Sequence, residues 1–190
     1  MPTEKPTPAP VRNYDFLPGV LSFLVPGLGQ IYQGRVAKGL LFLVCIYTLF
    51  FYGMALDNWK NVYLPRATRF PESPLSLKIG GVPIALPKPL GYRVQYLGQF
   101  WVGVVAWPAL YQHWNYEDED QAADPIFGHF QRTPSESELN ELQMAGDKTW
   151  DLGWIYTVIA GVLNVMVIYD AIAGPAYILP AAAAARKEAA

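Results

Sequence analysis

Four stretches rich in apolar side chains and free of formal charge divide this chain: Phe16 to Gly34, Gly39 to Leu56, Val94 to Tyr116 and Leu152 to Tyr169. Each is 18 to 23 residues long, and a helix of that length, rising about 1.5 Å per residue, crosses a hydrocarbon core of roughly 30 Å. The pattern predicts an all-α integral membrane protein, a four-helix polytopic bundle with spans at about 16–34, 39–57, 94–115 and 152–173. These form one transmembrane domain over 14–176, between a flexible Pro-rich arm at 1–13 and a mobile tail at 177–190. Pro26 sets up a rival, a three-span form in which Phe16 to Gly34 is broken and re-entrant. Pro18 and Pro26 also deprive the first apolar run of the layout of a secretory signal, so it is expected to be retained.

The two large loops, 58–93 and 116–151, are longer than the helices they join. In the first, two short alternating runs, Leu77 to Ile79 and Val82 to Leu86, flank Gly80-Gly81 and read as a small β-hairpin whose ladder is limited by Pro83, Pro87 and Pro89. In the second, Thr133-Pro134-Ser135-Glu136 reads as a helix start. Thr133 is the cap, Pro134 the first helical residue and Glu136 the capping-box acid of a short helix through about Ala145, ended by Gly146.

Charge adds an orientation. Loop 58–93 carries Lys60, Arg66, Arg69, Lys78, Lys88 and Arg93 against Glu72, whereas 116–151 carries ten acids against Arg132 and Lys148. The positive-inside bias then places the basic loop and both termini in the cytoplasm and the acidic loop outside, in a bacterial inner membrane. Trp59 and Trp101 would mark the inner interface and Trp114, Trp150 and Trp154 the outer one, with Trp107 packed between helices. A formal net charge of -2 gives no general attraction for nucleic acid. The one cysteine, Cys45, excludes an intrachain disulfide and reads as a buried packing residue.

Val25-Pro26-Gly27-Leu28-Gly29-Gln30-Ile31-Tyr32-Gln33-Gly34-Arg35, followed by Lys38-Gly39, has its own physical logic. Pro26 cannot donate to Ser22, Gly27 and Gly29 admit a close neighbour, and Gly34 permits a reversal, leaving a polar corner of Gln30, Tyr32, Gln33 and Arg35. This stretch resembles the membrane hairpin of the two-transmembrane-helix domain superfamily and related small bacterial membrane families of unknown function. Asn164 and Ile168-Tyr169-Asp170-Ala171 resemble a helix-ending Asp pattern of some of those relatives. The resemblance implies two helices joined by the motif, over roughly a quarter of the chain, and implies no activity.

Candidate chemistry is sparse. Asp170, near the end of the last apolar stretch, reads as a structural clasp seeking Arg12, Arg93 or Lys60, against the alternative of a proton relay. Thr157, Gly161, Asn164 and Ala171 share one helix face, as a packing contact in lipid or a substrate-lining stripe would require. His113 and Glu117 are spaced i, i+4 beside Asp118, Glu119, Asp120 and Asp124, but His129 is remote, and a solvated acidic loop is the better reading than a metal site. Ser22 reads as bonded to its own helix. LGQ recurs at Leu28 to Gln30 and Leu97 to Gln99, and over three residues it reads as coincidence rather than as an inverted repeat. No catalytic, cofactor-binding or metal-binding residue is predicted, and no cofactor. The sequence points to a non-enzymatic scaffold or accessory subunit of a membrane assembly, in contact with lipid and with a membrane-protein partner or further copies of itself. The alternative is a small transporter or channel component with an aqueous path past Asn164, Gln30 or Gln99.

Overall fold

A computed structural model describes residues 15–66, 76–79, 82–85, 87–117, 122–144 and 148–174. The predicted arm at 1–13 and tail at 177–190 lie outside them, as do Gly80, Gly81, Ala145 and Gly146. In chain order the elements are α1 (Phe16–Leu24), α2 (Leu28–Tyr32), α3 (Val36–Leu56), β1 (Ser76–Ile79), β2 (Val82–Ala85), α4 (Lys88–Tyr92), α5 (Val94–Gln99), α6 (Pro108–Asn115), α7 (Glu136–Met144) and α8 (Thr149–Ala173). Two 3-10 turns, Phe100–Val102 and Val104–Ala106, join α5 to α6. The two strands pair antiparallel with Leu77 opposite Ile84.

Two helices among the described residues, Val36–Leu56 and Asp151–Ala173, are long and apolar enough to cross a membrane. They run antiparallel along each other: Lys38 meets Asp170 at one end, and Gly53 packs on Gly153 and Thr157 at the other. Their core contact uses Ile46, Phe50, Met54, Ala160 and Val167, while Leu40, Leu41, Val44, Val162, Leu163 and Met166 point outward. Cys45, expected inside, also lies on the exposed surface of α3, where a helix apolar all round leaves part of its circumference without protein neighbours.

The other two predicted spans are not single helices, and the four continuous crossings are corrected accordingly. Asp15 caps α1 by accepting from the Leu17 N–H at 3.1 Å. At Val25 the chain turns through Gly27, whose φ of 82° suits glycine, and α2 returns along α1. A Cβ on Gly29 would lie 1.9 Å from the Pro18 carbonyl oxygen, although eleven residues of straight helix would separate the two by about 16 Å. Segment 94–115 reverses in the same way. Gly103, with φ 102° and ψ -151°, breaks it, and the Tyr96 hydroxyl donates to the Ala106 carbonyl at 2.8 Å. Both apolar segments are hairpins of half-length helices, hairpin I from 16 to 32 and hairpin II from 94 to 115.

The hairpins enter from opposite ends of the α3–α8 pair. Hairpin I starts where the Asp15 N–H meets the Ile172 carbonyl and returns to that end at Gln33. Hairpin II starts beside Asn61 and Arg93, at the end of α3. Chain 58–66 and the described residues 113–117 and 122–138 therefore share one end of the molecule, where they form a cap. Lys60 Nζ bonds Glu138 Oε1 at 2.7 Å, and Arg66 donates to the carbonyls of His113 at 3.0 Å and Trp114 at 2.9 Å. Opposite faces for the basic and acidic loops are overturned by these contacts. Their complementary charges meet instead of segregating.

Within the cap, α7 starts at Glu136. Ser135 is its cap, since Ser135 Oγ accepts from the Glu138 N–H at 3.3 Å while Glu138 Oε2 accepts from the Ser135 N–H at 3.1 Å. The capping box lies two residues beyond the predicted one because Thr133 is buried against the Leu64 carbonyl. Gln131, with a positive φ of 57°, reaches into hairpin II, where it donates to the Val105 carbonyl at 2.6 Å and accepts from the Ala109 N–H at 3.0 Å. It satisfies backbone that the break at Gly103 leaves without helical partners.

Candidate functional site: a buried polar ladder along the last helix

The face of α8 predicted from Thr157, Gly161, Asn164 and Ala171 carries a series of buried polar contacts from one end of the helix pair to the other. With a rise of about 1.5 Å per residue, Thr157 and Asp170 stand about 20 Å apart along it.

At the end where α1 begins and α8 stops, Asp170 binds Arg35 Nη1 through Oδ2 at 2.9 Å and Lys38 Nζ through Oδ1 at 2.7 Å. Gln30 Nε2 donates to the same Oδ2 at 3.1 Å and to the Val167 carbonyl at 2.9 Å, and Gln33 Nε2 donates to the Ala171 carbonyl at 2.7 Å. Asp170 is thus a clasp, but its cations come from the turn after hairpin I. Lys60 and Arg93 lie at the cap, and Arg12 lies outside the described residues. Ser22, expected to bond its own helix, donates to Gln30 Oε1 and accepts from the Gly29 N–H, both at 3.1 Å, and ties α1 to α2.

Midway, the tips of the two hairpins meet. A Cβ on Gly103 would lie 2.4 Å from the Leu24 carbonyl oxygen, so the tips touch backbone to backbone. Asn164, fully buried, donates through Nδ2 to the Ser22 carbonyl at 3.0 Å and the Trp101 carbonyl at 2.8 Å. Each belongs to a helical turn that stops there, where a carbonyl has no partner from its own helix. Trp101 therefore sits beside the middle of α8.

Toward the cap, Gln99 donates from Nε2 to Thr157 Oγ1 at 2.8 Å and to the Asn61 carbonyl at 3.3 Å. The Asn61 carbonyl also accepts from Arg93 Nη2 at 2.8 Å, and Asn61 Nδ2 donates to the Gly53 carbonyl at 3.2 Å. Asn58 and Trp59 both have positive φ and turn the chain sharply to bring Asn61 under the end of α3. Asp57, the residue that ends α3, is 1% exposed and lies on the bare Cα of Gly153, where a Cβ would come within 2.1 Å of its Oδ2. Burial pushes its carboxyl up to about 7, against the opposing pull of Asn61 and Arg93. Burial likewise lowers the Arg93 guanidinium, which stacks 4.1 Å from the centre of the Tyr63 ring.

In the cap, His113 Nδ1 is bonded to the Leu64 carbonyl at 3.1 Å, and Asp124 Oδ2 accepts from the Tyr116 hydroxyl at 2.6 Å. That bond, with the N–H groups of Phe127 and Ile126, holds the Asp124 carboxyl below the usual carboxylate range. His113 and Glu117 border a shallow recess with Gln112, Arg132 and Thr133. Among the described residues no three histidine, cysteine, aspartate or glutamate side chains converge on one point. Asp118, Glu119 and Asp120 lie outside them.

Sequence reasoning singled out Gln30, Gln99, Asn164, Asp170 and Thr157, and all five line the ladder. It missed Asp57 and Asn61, which fall on the boundary between an apolar stretch and a loop. The available signal was their i, i+4 spacing directly after the uncharged stretch Gly39 to Leu56.

The chain belongs to a family of unknown function, DUF6677, whose model matches residues 17–184. No curated protein and no solved structure matches it.

Proposed function

From membership in a family to which no activity is attached, we propose that this is an integral protein of the bacterial cytoplasmic membrane. In this reading α3 and α8 cross the bilayer and the two hairpins dip into it from opposite faces. Lipid covers the outward rows of Leu40, Leu41, Val44, Val162, Leu163 and Met166. Non-helical backbone at membrane depth is tolerated where protein buries it, and Asn164 and Gln131 supply the partners. The polypeptide between the spans, from Asp57 to Lys148, exceeds the roughly 60 residues over which basic residues set orientation. The shorter segments with Arg12, Arg35, Lys38, Arg186 and Lys187 then decide, and both termini face the cytoplasm.

The protein acts without catalysis, as a scaffold or accessory subunit of a membrane assembly, and the cap is its contact surface. The observation that carries this is the pairing of the two loops across the cap, Lys60 with Glu138 and Arg66 with chain 113–117, which fixes a folded polar surface on one side of an apolar helix pair. Reporter fusions after Gly91 and after Gly128 test the topology: both should report the outer side, and opposite signals would restore the four-span form. Native-membrane pull-down tests the role. A stoichiometric membrane partner, lost when Lys60 is replaced by Glu and regained when Glu138 is also replaced by Lys, is expected. Recovery of the partner regardless of the cap sinks the assignment.

A second reading, a small transporter component, is favoured by the meeting of two discontinuous helical segments at the middle of α8, an arrangement transporters use for substrate sites. Solute flux in liposomes abolished by Asn164→Leu would support it over the first.

A further inference from the structure

Asp57 is the one carboxylate of the ladder whose oxygens the described residues leave without a partner. Its Oδ1 and Oδ2 are buried with no donor at hydrogen-bond distance among the described residues, the Asn61 amide pulling on them only from farther off, and the nearby acceptors Asn61 Oδ1 and Gln99 Oε1 likewise have no partner. Four oxygens thus lie buried without a donor at the junction of α3, α8 and hairpin II. Arg93, the cation whose charge acts on Asp57, does not close the gap. Its Nη2 is committed to the Asn61 carbonyl, its plane to the Tyr63 ring, and its buried Nε has no partner among the described residues. From α8 Asp151 adds a second negative charge that acts on Asp57, and Lys60 on the following turn is bound to Glu138. An ionised carboxylate so placed is costly, because burial removes solvation that no donor replaces.

We propose that Asp57 is a proton-binding site of this protein. The carboxyl takes a proton from water on the cap side, and its O–H becomes the donor that the surrounding amide oxygens lack. When the proton returns to water, the carboxylate and the free Arg93 Nε attract each other, so loss of the proton draws the entry of hairpin II toward the end of α3. Only the O–H bond forms and breaks. The raised affinity of the Asp57 carboxyl for a proton places this exchange near neutrality.

The reading does not depend on what the cap binds. It is tested on the full chain in detergent micelles, with a hydrophobic carbodiimide, which reacts with protonated carboxyls, and with the modified residue located by mass spectrometry. Asp57 should be labelled at about pH 5.5 and at least tenfold less at about pH 8.5, because a carboxyl titrating near 7 is almost wholly protonated at the first and ionised at the second. Asp170, held by Arg35 and Lys38, is the unlabelled internal control. Arg93→Gln should move the midpoint of Asp57 labelling to higher pH, because it removes the cation that favours the carboxylate. The experiment on the unsubstituted chain stands even where that variant fails to accumulate. An Asp57 that resists labelling throughout the range, or labelling at fixed pH suppressed by sodium or potassium chloride but not by choline chloride, overturns the proposal; the second result would make the site one for a metal cation.

Discussion

Asn164 commits both hydrogens of one carboxamide to two chain reversals, and no other described side chain bonds both hairpin tips. Replacing it by Leu keeps the volume close but strands the Ser22 and Trp101 carbonyls in a buried setting. At about 1–3 kcal/mol for each unsatisfied group, Asn164→Leu should lower stability by about 2–5 kcal/mol, read as a fall in thermal midpoint in detergent. Unchanged melting would mean that the tips are held by packing alone. Asp57 gives a pH signature with a definite sign. Burial holds its carboxyl up at about 7 in the fold, well above the usual carboxylate range. The folded state therefore binds the proton more tightly, and the contribution is complete below the ordinary carboxylate range, falls as pH rises toward 7 and levels off above it. Asp57→Asn should flatten that slope and stabilise the protein by a few kcal/mol at about pH 8, measured by denaturation across pH. Retention of the slope assigns it to another group. Polar residues inside apolar stretches announced themselves in the sequence, which is why Gln30, Gln99 and Asn164 were legible. A charge at the border of a stretch looks like the first residue of a loop, and Asp57 was hidden for that reason.

The hydrophobic pattern located every apolar segment but could not give its direction, since hydropathy registers length and a straight helix has the same length as one folded back. For hairpin I the reversal was partly written, as Pro26, Gly27 and Gly29 mark a break and a close contact. For hairpin II the marks were Gly98, Gly103 and Pro108, and they stood in a run long enough to span. Gly29→Leu would drive a side chain into the Pro18 carbonyl and should deplete the protein from membranes severalfold. Gly34→Ala, at a positive φ of 78° with nothing within 4 Å, should cost about 1 kcal/mol of strain and leave accumulation near normal. Equal accumulation of the two variants, quantified by immunoblot, would show that α2 does not lie on α1. The start of α7 gives a smaller test. Lys60 and the Ser135 N–H hold the Glu138 carboxyl below its usual range, and Ser135→Ala removes the reciprocal cap at a cost of about 1 kcal/mol, read from chemical denaturation. No change would place the start of the helix elsewhere.

At the scale of the whole molecule, charge was the misleading signal. A basic loop and an acidic loop suggest two faces of a membrane if each helix between them crosses it, and they suggest one interface if that helix turns back. Only the return of hairpin II decides, and it depends on long-range contacts such as Gln131 with Val105 that no local pattern encodes. In a Cys45→Ala background, Lys60→Cys and Glu138→Cys should be joined by a short bifunctional thiol reagent added to intact membranes. The yield should be high and independent of protein concentration; absence of the intramolecular product would separate the loops again.

The junction at Asn164 also imposes an order of assembly. Ser22 and Trp101 leave the ribosome long before the carboxamide that binds their carbonyls, so neither tip has its final partner until residue 164 of 190 has been made. The last helix is then what closes the molecule. A nascent chain halted before residue 164 carries two reversals with exposed backbone, and it presents membrane quality control with a species that the finished protein never resembles.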